Sequence, residues 1–190
     1  MDLRVSIQNC LSALQLRELT AGYLREAAVL MPIFEREGEP CFLLTRRTEE
    51  VETHKGQISF PGGMRHDGES LRQTALRETF EEIGITEDRI QILGQFHDYL
   101  SSTDYRVSPF AGYIDKPFQT RAQPQEVAEI LEVPFKTFFN PRQLRIEKMP
   151  GRGKLINVYF FSYGNHEIWG LTARIIKDFL EELRRSMRPS

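Results

Sequence analysis

The chain has 190 residues, of which 40% are hydrophobic and 27% charged, and its formal net charge is −2. A chain of this length can bury roughly 70% of its unfolded surface without disulfide staples, so one domain spanning 1–190 is expected. The slight negative balance excludes a general pull toward nucleic acid or anionic membrane, so any phosphate chemistry must rest on local basic groups or bound metal.

In chain order, Leu3, Ile7, Cys10, Leu11, Leu14 and Leu19 recur at spacings near three and four. That period predicts an amphipathic helix over 2–19, within an N-terminal segment 1–24. Two strand-like runs follow at 27–34 and 41–46, separated by the turn-like EREGEP. Cys41 precedes the apolar run Phe42, Leu43, Leu44 and reads as a core thiol; neither it nor Cys10 belongs to a CxxC or Cys/His cluster. A polar stretch then leads to a short strand at 57–60 and the break Pro61, Gly62, Gly63. Residues 70–83 read as a helix that Gly84 can end in the left-handed conformation. Further strands are expected at 90–99, 106–114, 127–133 and 155–163, with Pro117, Pro124, Pro134, Pro141 and Pro150 punctuating the loops. A last helix over 172–185 puts Ile175, Ile176, Phe179, Leu180 and Leu183 on one face. Strands mixed with helices in this way predict an α/β/α sandwich around a mixed sheet. No stretch has signal-peptide character or approaches the ~20 apolar residues that span a bilayer, so a reduced, cytoplasmic protein is expected.

Residues 63–85, GMRHDGESLRQTALRETFEEIGI, carry the most chemistry. At about 100° per residue, Glu78, Glu81 and Glu82 share one arc of about 100°, while Leu76, Phe80 and Ile83 form a separate core-facing stripe. Like charges at i, i+4 repel even when solvated, and a cation between them reverses the sign. Hard oxygen ligands of this kind suit Mg2+ or Mn2+, which also bind substrate phosphates. The glycine pair before the helix lets backbone approach a ligand or offer a carbonyl to metal. Arg77 is placed to orient a carboxylate or meet a phosphate. His54, His66, His97 and His166 have no metal-ligand spacing.

This segment resembles the Nudix box, G-x5-E-x7-R-E-U-x-E-E-x-G-U with U apolar. Gly63, Glu69, Arg77, Glu78, Glu81, Glu82, Gly84 and Ile85 match, and Thr79 stands at an apolar position. A chance match is on the order of 10⁻⁸ per window. The resemblance implies a Nudix-type fold, hydrolysis of a diphosphate bond in a nucleotide derivative, and divalent cations held by Glu78, Glu81 and Glu82 with Gly63. It implies catalytic parts for Glu82 and Glu81, and structural support from Glu69 and Arg77. A glutamate outside the box often completes such sites. Glu126, in the glutamate-valine pair of EVAEILEVPF, is the choice over Glu129.

A second stretch, LLTRRTEEVETHKGQISFPGG at 43–63, resembles the signature of the coenzyme A diphosphatase branch, LLTxR[SA]xxxRxxxGx[VI]xFPGG. Leu43, Leu44, Thr45, Arg47, Gly56, Ile58, Phe60, Pro61, Gly62 and Gly63 match; Thr48 replaces a small residue and Glu52 replaces the arginine. Residues 126–135 and 158–176 are also similar to that branch. The resemblance implies a small-molecule substrate, coenzyme A or its thioesters, with Arg47 and Lys55 as phosphate-binding residues. The charge reversal at Glu52 keeps open ADP-ribose, dinucleotides or nucleotide sugars. A non-catalytic nucleotide-sensing module would be expected to have lost the box glutamates, all of which are present here. RNA decapping would want a basic surface. The oligomeric state is left open, with a homodimer allowed.

Overall fold

The computed structural model describes residues 2–20, 24–49 and 55–187; Glu52 and His54 lie outside the described residues. The chain begins with α1 (Leu3–Ser12), capped by the Asp2 carboxylate accepting from the Arg4 amide. The helix is shorter than the apolar spacing over 2–19 predicts. Beyond it the backbone is diverted by side chains of the body: the Arg17 amide donates to His97 and the Leu19 amide to Asp98. Leu14 packs on the core without being helical.

Strands β1 (Arg25–Arg36) and β2 (Glu39–Arg47) form a hairpin whose two-residue turn, Glu37 and Gly38, has positive φ at both positions. Such a turn matches the twist of the flanking strands. Next come β3 (Ile58–Ser59) and β4 (Gly62–Met64), so the Pro-Gly-Gly segment expected to be a break is in fact paired with β1. Helix α2 (Leu71–Ile83) starts from a capping box of Ser70 and Gln73 and ends at Gly84, whose φ is 74°. The expected strand 90–99 divides into β5 (Ile90–Gln95) and β6 (Tyr99–Leu100). β7 (Tyr105–Ile114) and β8 (Val127–Pro134) follow. A separate ribbon contains β9 (Leu144–Gly151), β10 (Lys154–Tyr163) and β11 (His166–Trp169) before α3 (Gly170–Ser186). β9 and β11 were not expected from the sequence.

The main sheet runs β3-β2-β1-β7-β5, with β4, β6 and β8 attached to β1, β7 and β2. β1 and β7 are parallel and the other pairs antiparallel, so the sheet is mixed. Alternation along the strands sends side chains to two faces. One face, with Leu30, Phe34 and Leu43, meets Ala75, Leu76 and Ile83 of α2. The other, with Met31, Ile33, Phe42 and Leu44, meets α1, α3 and the β9–β11 ribbon. The fold is therefore the expected α/β/α sandwich. Among the described residues no helix is long and apolar enough to cross a membrane.

Candidate active site

Gly62 and Gly63 are locked into β4, where Gly63 pairs with Ala28 and Gly62 with Val29. A side chain at Gly63 would have its Cβ 2.3 Å from Glu78 Oε1, and one at Gly62 would stand 2.4 Å from the Ala28 carbonyl oxygen. Only glycine lets the strand lie this close to the carboxylates of α2. Arg77 then ties helix to loop. It donates to Glu69 Oε1 at 2.6 Å, Glu78 Oε1 at 2.8 Å, Glu81 Oε2 at 2.9 Å and the Met64 carbonyl at 3.0 Å. The guanidinium holds the Glu69 carboxyl down at about 2, helped by Thr74 and the His66 amide.

The three box glutamates are not equivalent. Glu81 is 53% exposed, whereas Glu82 is only 4% exposed and accepts from Thr45 Oγ1 at 3.3 Å. Glu82 is therefore not on an open helix face, as an arc shared with Glu81 suggests, but turned into the seam between α2 and the sheet. Burial pushes its carboxyl up to about 8, with Glu78 adding repulsion and the Gly62 amide and Arg47 opposing. Glu78 is also raised, first by burial and then by Glu81 and Glu126, against the pull of Arg77. Phe80, expected on the core stripe, is 51% exposed. Its place is taken by Thr79, fully buried, whose hydroxyl donates to the Ala75 carbonyl at 2.7 Å.

Glu126 and Glu129 are separated by the pleat of β8 and the bend before it. The carbonyls of Glu82 and Ile83, at the end of α2, accept from Gln123 and Arg121, and this brings the 121–126 loop to the helix end. Glu126 there acts electrostatically on both Glu78 and Glu82. Glu129 faces Arg46 at 3.1 Å and His166 at 3.5 Å on the opposite face of the sheet. Arg47 shares the Thr45 face of β2, near Glu82, and its Nε is buried with no hydrogen-bond partner among the described residues. Lys55 is exposed and is not drawn to the carboxylates by any described contact. Thr45 is a contributor that the helical pattern does not reveal; only its pairing opposite Ser59 and beneath Glu82 does.

As the side chains lie, no three carboxylate, imidazole or thiol groups among the described residues converge on a metal position. Glu78 and Glu81 are turned to Arg77, and Glu82 to Thr45 and Gly62. The donor set nonetheless fits a hard divalent cation: oxygens only, two of the carboxylates held in burial against one another, and a backbone strand pressed onto Glu78. Repulsion between them is what a cation would relieve.

A mixed sheet between helices, with a glycine strand and a carboxylate helix meeting over a buried glutamate, defines an α/β protein with an acidic site at the seam of helix and sheet. The NUDIX domain pattern matches residues 24–159, and the chain belongs to the Nudix family. It is 38% identical over 161 residues to the Nudix hydrolase NudL of Photorhabdus laumondii, itself uncharacterized, covering 84% of this chain and 86% of that one. In fold it resembles the MutT protein of Methanosarcina mazei Go1, with a TM-score of 0.55, 23% identity and coverage of 90% and 100% of the two chains. It also resembles a Caenorhabditis elegans Ap4A hydrolase complex, with a TM-score of 0.51, 21% identity and coverage of 60% and 82%. The protein is thus a Nudix hydrolase acting on a nucleoside diphosphate derivative, in a family that generally uses divalent metal ions.

Proposed function

We propose that the chain, working as one domain, hydrolyses the diphosphate of coenzyme A or its thioesters to 3′,5′-ADP and 4′-phosphopantetheine or its acyl form. The observation that carries this reading is the stretch 43–63, in which Thr45, Arg47, Gly62 and Gly63, all similar to the coenzyme A diphosphatase signature, lie against Glu78 and Glu82. In it Arg47 offers, near Glu82, a buried Nε that has no hydrogen-bond partner among the described residues. A buried cationic donor with no partner is costly unless an anion meets it, and a diphosphate is such an anion.

On this reading Glu78, Glu82 and Glu81, with the Gly63 carbonyl, would hold Mg2+ or Mn2+, which when bound neutralises the diphosphate and lowers the pKa of the attacking water. Arg47 orients a diphosphate oxygen, and Lys55 adds a second, exposed positive charge. Glu126, which interacts electrostatically with Glu78 and Glu82, and Glu82 itself are the groups able to accept the water's proton. Glu69 and Arg77 keep Glu78 and the glycine strand in register. Free, buried Cys10 and Cys41 support action in the cytoplasm.

The test is a substrate panel with purified protein and Mg2+ or Mn2+, products identified by mass. Release of 3′,5′-ADP from coenzyme A in preference to other cleavages is expected. A second reading, ADP-ribose, dinucleotides or nucleotide sugars, is favoured by Glu52, whose charge opposes a 3′-phosphate. A wide preference for those substrates would replace the coenzyme A reading while leaving the hydrolase intact.

A further inference from the structure

Three adjacent strands carry a row of charges at the edge of the site. Glu26, at the start of β1, stands in register with Arg106 of the parallel strand β7, and its carbonyl accepts from the Arg65 amide at 2.9 Å where β4 runs out. The Glu26 carboxylate accepts from the guanidinium of Arg65 with one oxygen and from that of Arg106 with the other. By alternation along β1 the row lies on the same face as Ala28 and Leu30, the face that α2 covers. Arg65 also donates through Nε to the Glu69 carbonyl at 2.7 Å. The whole segment from Gly63 to Glu69 is thereby fastened at both ends: to β1 and β7 through Glu26, and to α2 through Glu69 and Arg77.

We propose that Glu26 is a positioning residue of the metal site, holding Arg65 and Arg106 together and so fixing the loop that lays Gly63 against Glu78. This inference rests on the carboxylate cluster being the metal site and is independent of the substrate. Without the carboxylate, two guanidiniums flanking β1 face each other with no anion between them; Arg106 stays held by the Leu19 carbonyl and close to Asp98, so Coulomb repulsion pushes Arg65 outward. Arg65 is bonded to the chain on both sides of Gly68, so its movement carries the loop with it. The Gly63 carbonyl and the Glu69–Arg77–Glu78 chain of bonds then lose their fixed relation. Partners one step removed from a metal ligand of this kind typically change affinity or activity by roughly 10–100-fold when lost.

Glu26, Arg65 and Arg106 line an open cleft of about 550 Å³, so Glu26→Gln leaves the apolar core untouched. The experiment titrates Mn2+ alone into wild type, Glu26→Gln, Arg65→Gln and the double variant by calorimetry. Amide exchange over Met64 to Glu69 is followed in the same metal-free proteins. As a control, Glu132→Gln removes another carboxylate shared by two cations, Arg36 and Lys116, at the far end of the sheet. We expect roughly tenfold weaker Mn2+ binding and faster exchange in both single variants, no further loss in the double variant, and unchanged binding in the control. Mn2+ binding by Glu26→Gln at wild-type affinity, or an equal loss in the Glu132→Gln control, overturns the inference alone. A wild-type chain that binds no Mn2+ overturns the metal-site reading together with it.

Discussion

The two faces of the main sheet are built from the same strands, often from neighbouring residues, yet they solve different problems. On the α1/α3 face the contacts are aromatic: Phe42 stacks on Phe135 at 4.2 Å, and Phe179 meets Phe96 edge-on at 5.6 Å. On the α2 face the seam holds Glu82, Thr45, Thr74 and Thr79 in full burial, with Glu78 and Arg77 at its border. An apolar contact contributes by area, so the first face is a source of stability. A buried carboxylate costs free energy until something charged meets it, so the second face stores a cost that ligand binding can release. The contrast locates function before any substrate is known.

The most complete disruption of that contrast is removal of the cation. Prolonged chelation should abolish turnover and should be reversed by Mn2+ or Mg2+, because the cation that neutralises the diphosphate and lowers the pKa of the attacking water is gone. Full activity in metal-free protein would sink the metal-site assignment. On the opposite face, Phe179→Ala should cost about 3–5 kcal/mol in unfolding free energy, from lost burial and the cavity left behind. Calorimetric Mn2+ affinity, measured well below the melting temperature, should not change. A large change in affinity would mean that the faces are coupled through the sheet.

Glu82→Gln sharpens the comparison because it should move activity and stability in opposite directions. Turnover should fall by at least about 10²-fold, the lower end of what positioned electrostatic or acid–base groups contribute. In the metal-free protein the folded carboxyl titrates near 8, above its ordinary 4.5. The folded state therefore binds the extra proton between those values, and wild-type stability falls as pH rises from 4.5 to about 8. The variant lacks that decline, so its melting temperature should exceed wild type at pH 8 and approach it near pH 5. Glu69 has the opposite sign: its carboxyl titrates near 2, so its stabilisation is present above 4.5 and is lost as pH falls toward 2. Melting curves across pH check both. A Glu82→Gln protein that is less stable than wild type at pH 8 would contradict the burial cost.

Much of this was legible in the residues, for reasons that also explain what was not. The α2 helix and its Gly84 end carry a helical pattern, and the long strands β1, β2, β7, β8 and β10 carry β-rich apolar runs bounded by turn residues, and such local signals survive in any context. β9 does not, because its residues are mostly exposed on both faces and no alternation is imposed on Arg145, Ile146, Glu147 and Lys148. β11 has only four residues. The course of the chain after α1 is held by His97 and Asp98, which lie 80 and 79 positions from Arg17 and Leu19, and no local rule can see them. At the site, spacing identified the glutamates but not their depth. A helical wheel gives angles, and whether Glu82's side of the shared arc is solvent or seam depends on where β2 places Thr45. The same blindness exchanged Phe80 for Thr79 on the buried side.

Thr79 provides the smallest and most discriminating test. It is fully buried on the α2 face, at a box position that is ordinarily apolar, and its hydroxyl donates only to the Ala75 carbonyl one turn back. That carbonyl is already positioned for the helix's own hydrogen bond, so the hydroxyl adds a shared, weak interaction. Thr79→Val keeps the branched shape and replaces the hydroxyl with a methyl group. The lost hydrogen bond and the gained apolar burial are each about 1 kcal/mol and opposite in sign, so stability should change by less than about 1 kcal/mol. Turnover and Mn2+ affinity should be unchanged, because neither the bonded chain from Glu26 to Glu78 nor the Thr45 and Gly62 contacts of Glu82 pass through Thr79. If that holds, the polarity of the α2 face divides into groups that serve the carboxylates and groups merely accommodated beside them. A tenfold loss of turnover would instead make Thr79 part of the machinery, and the whole seam, not only its glutamates, would have to be read as tuned for the reaction.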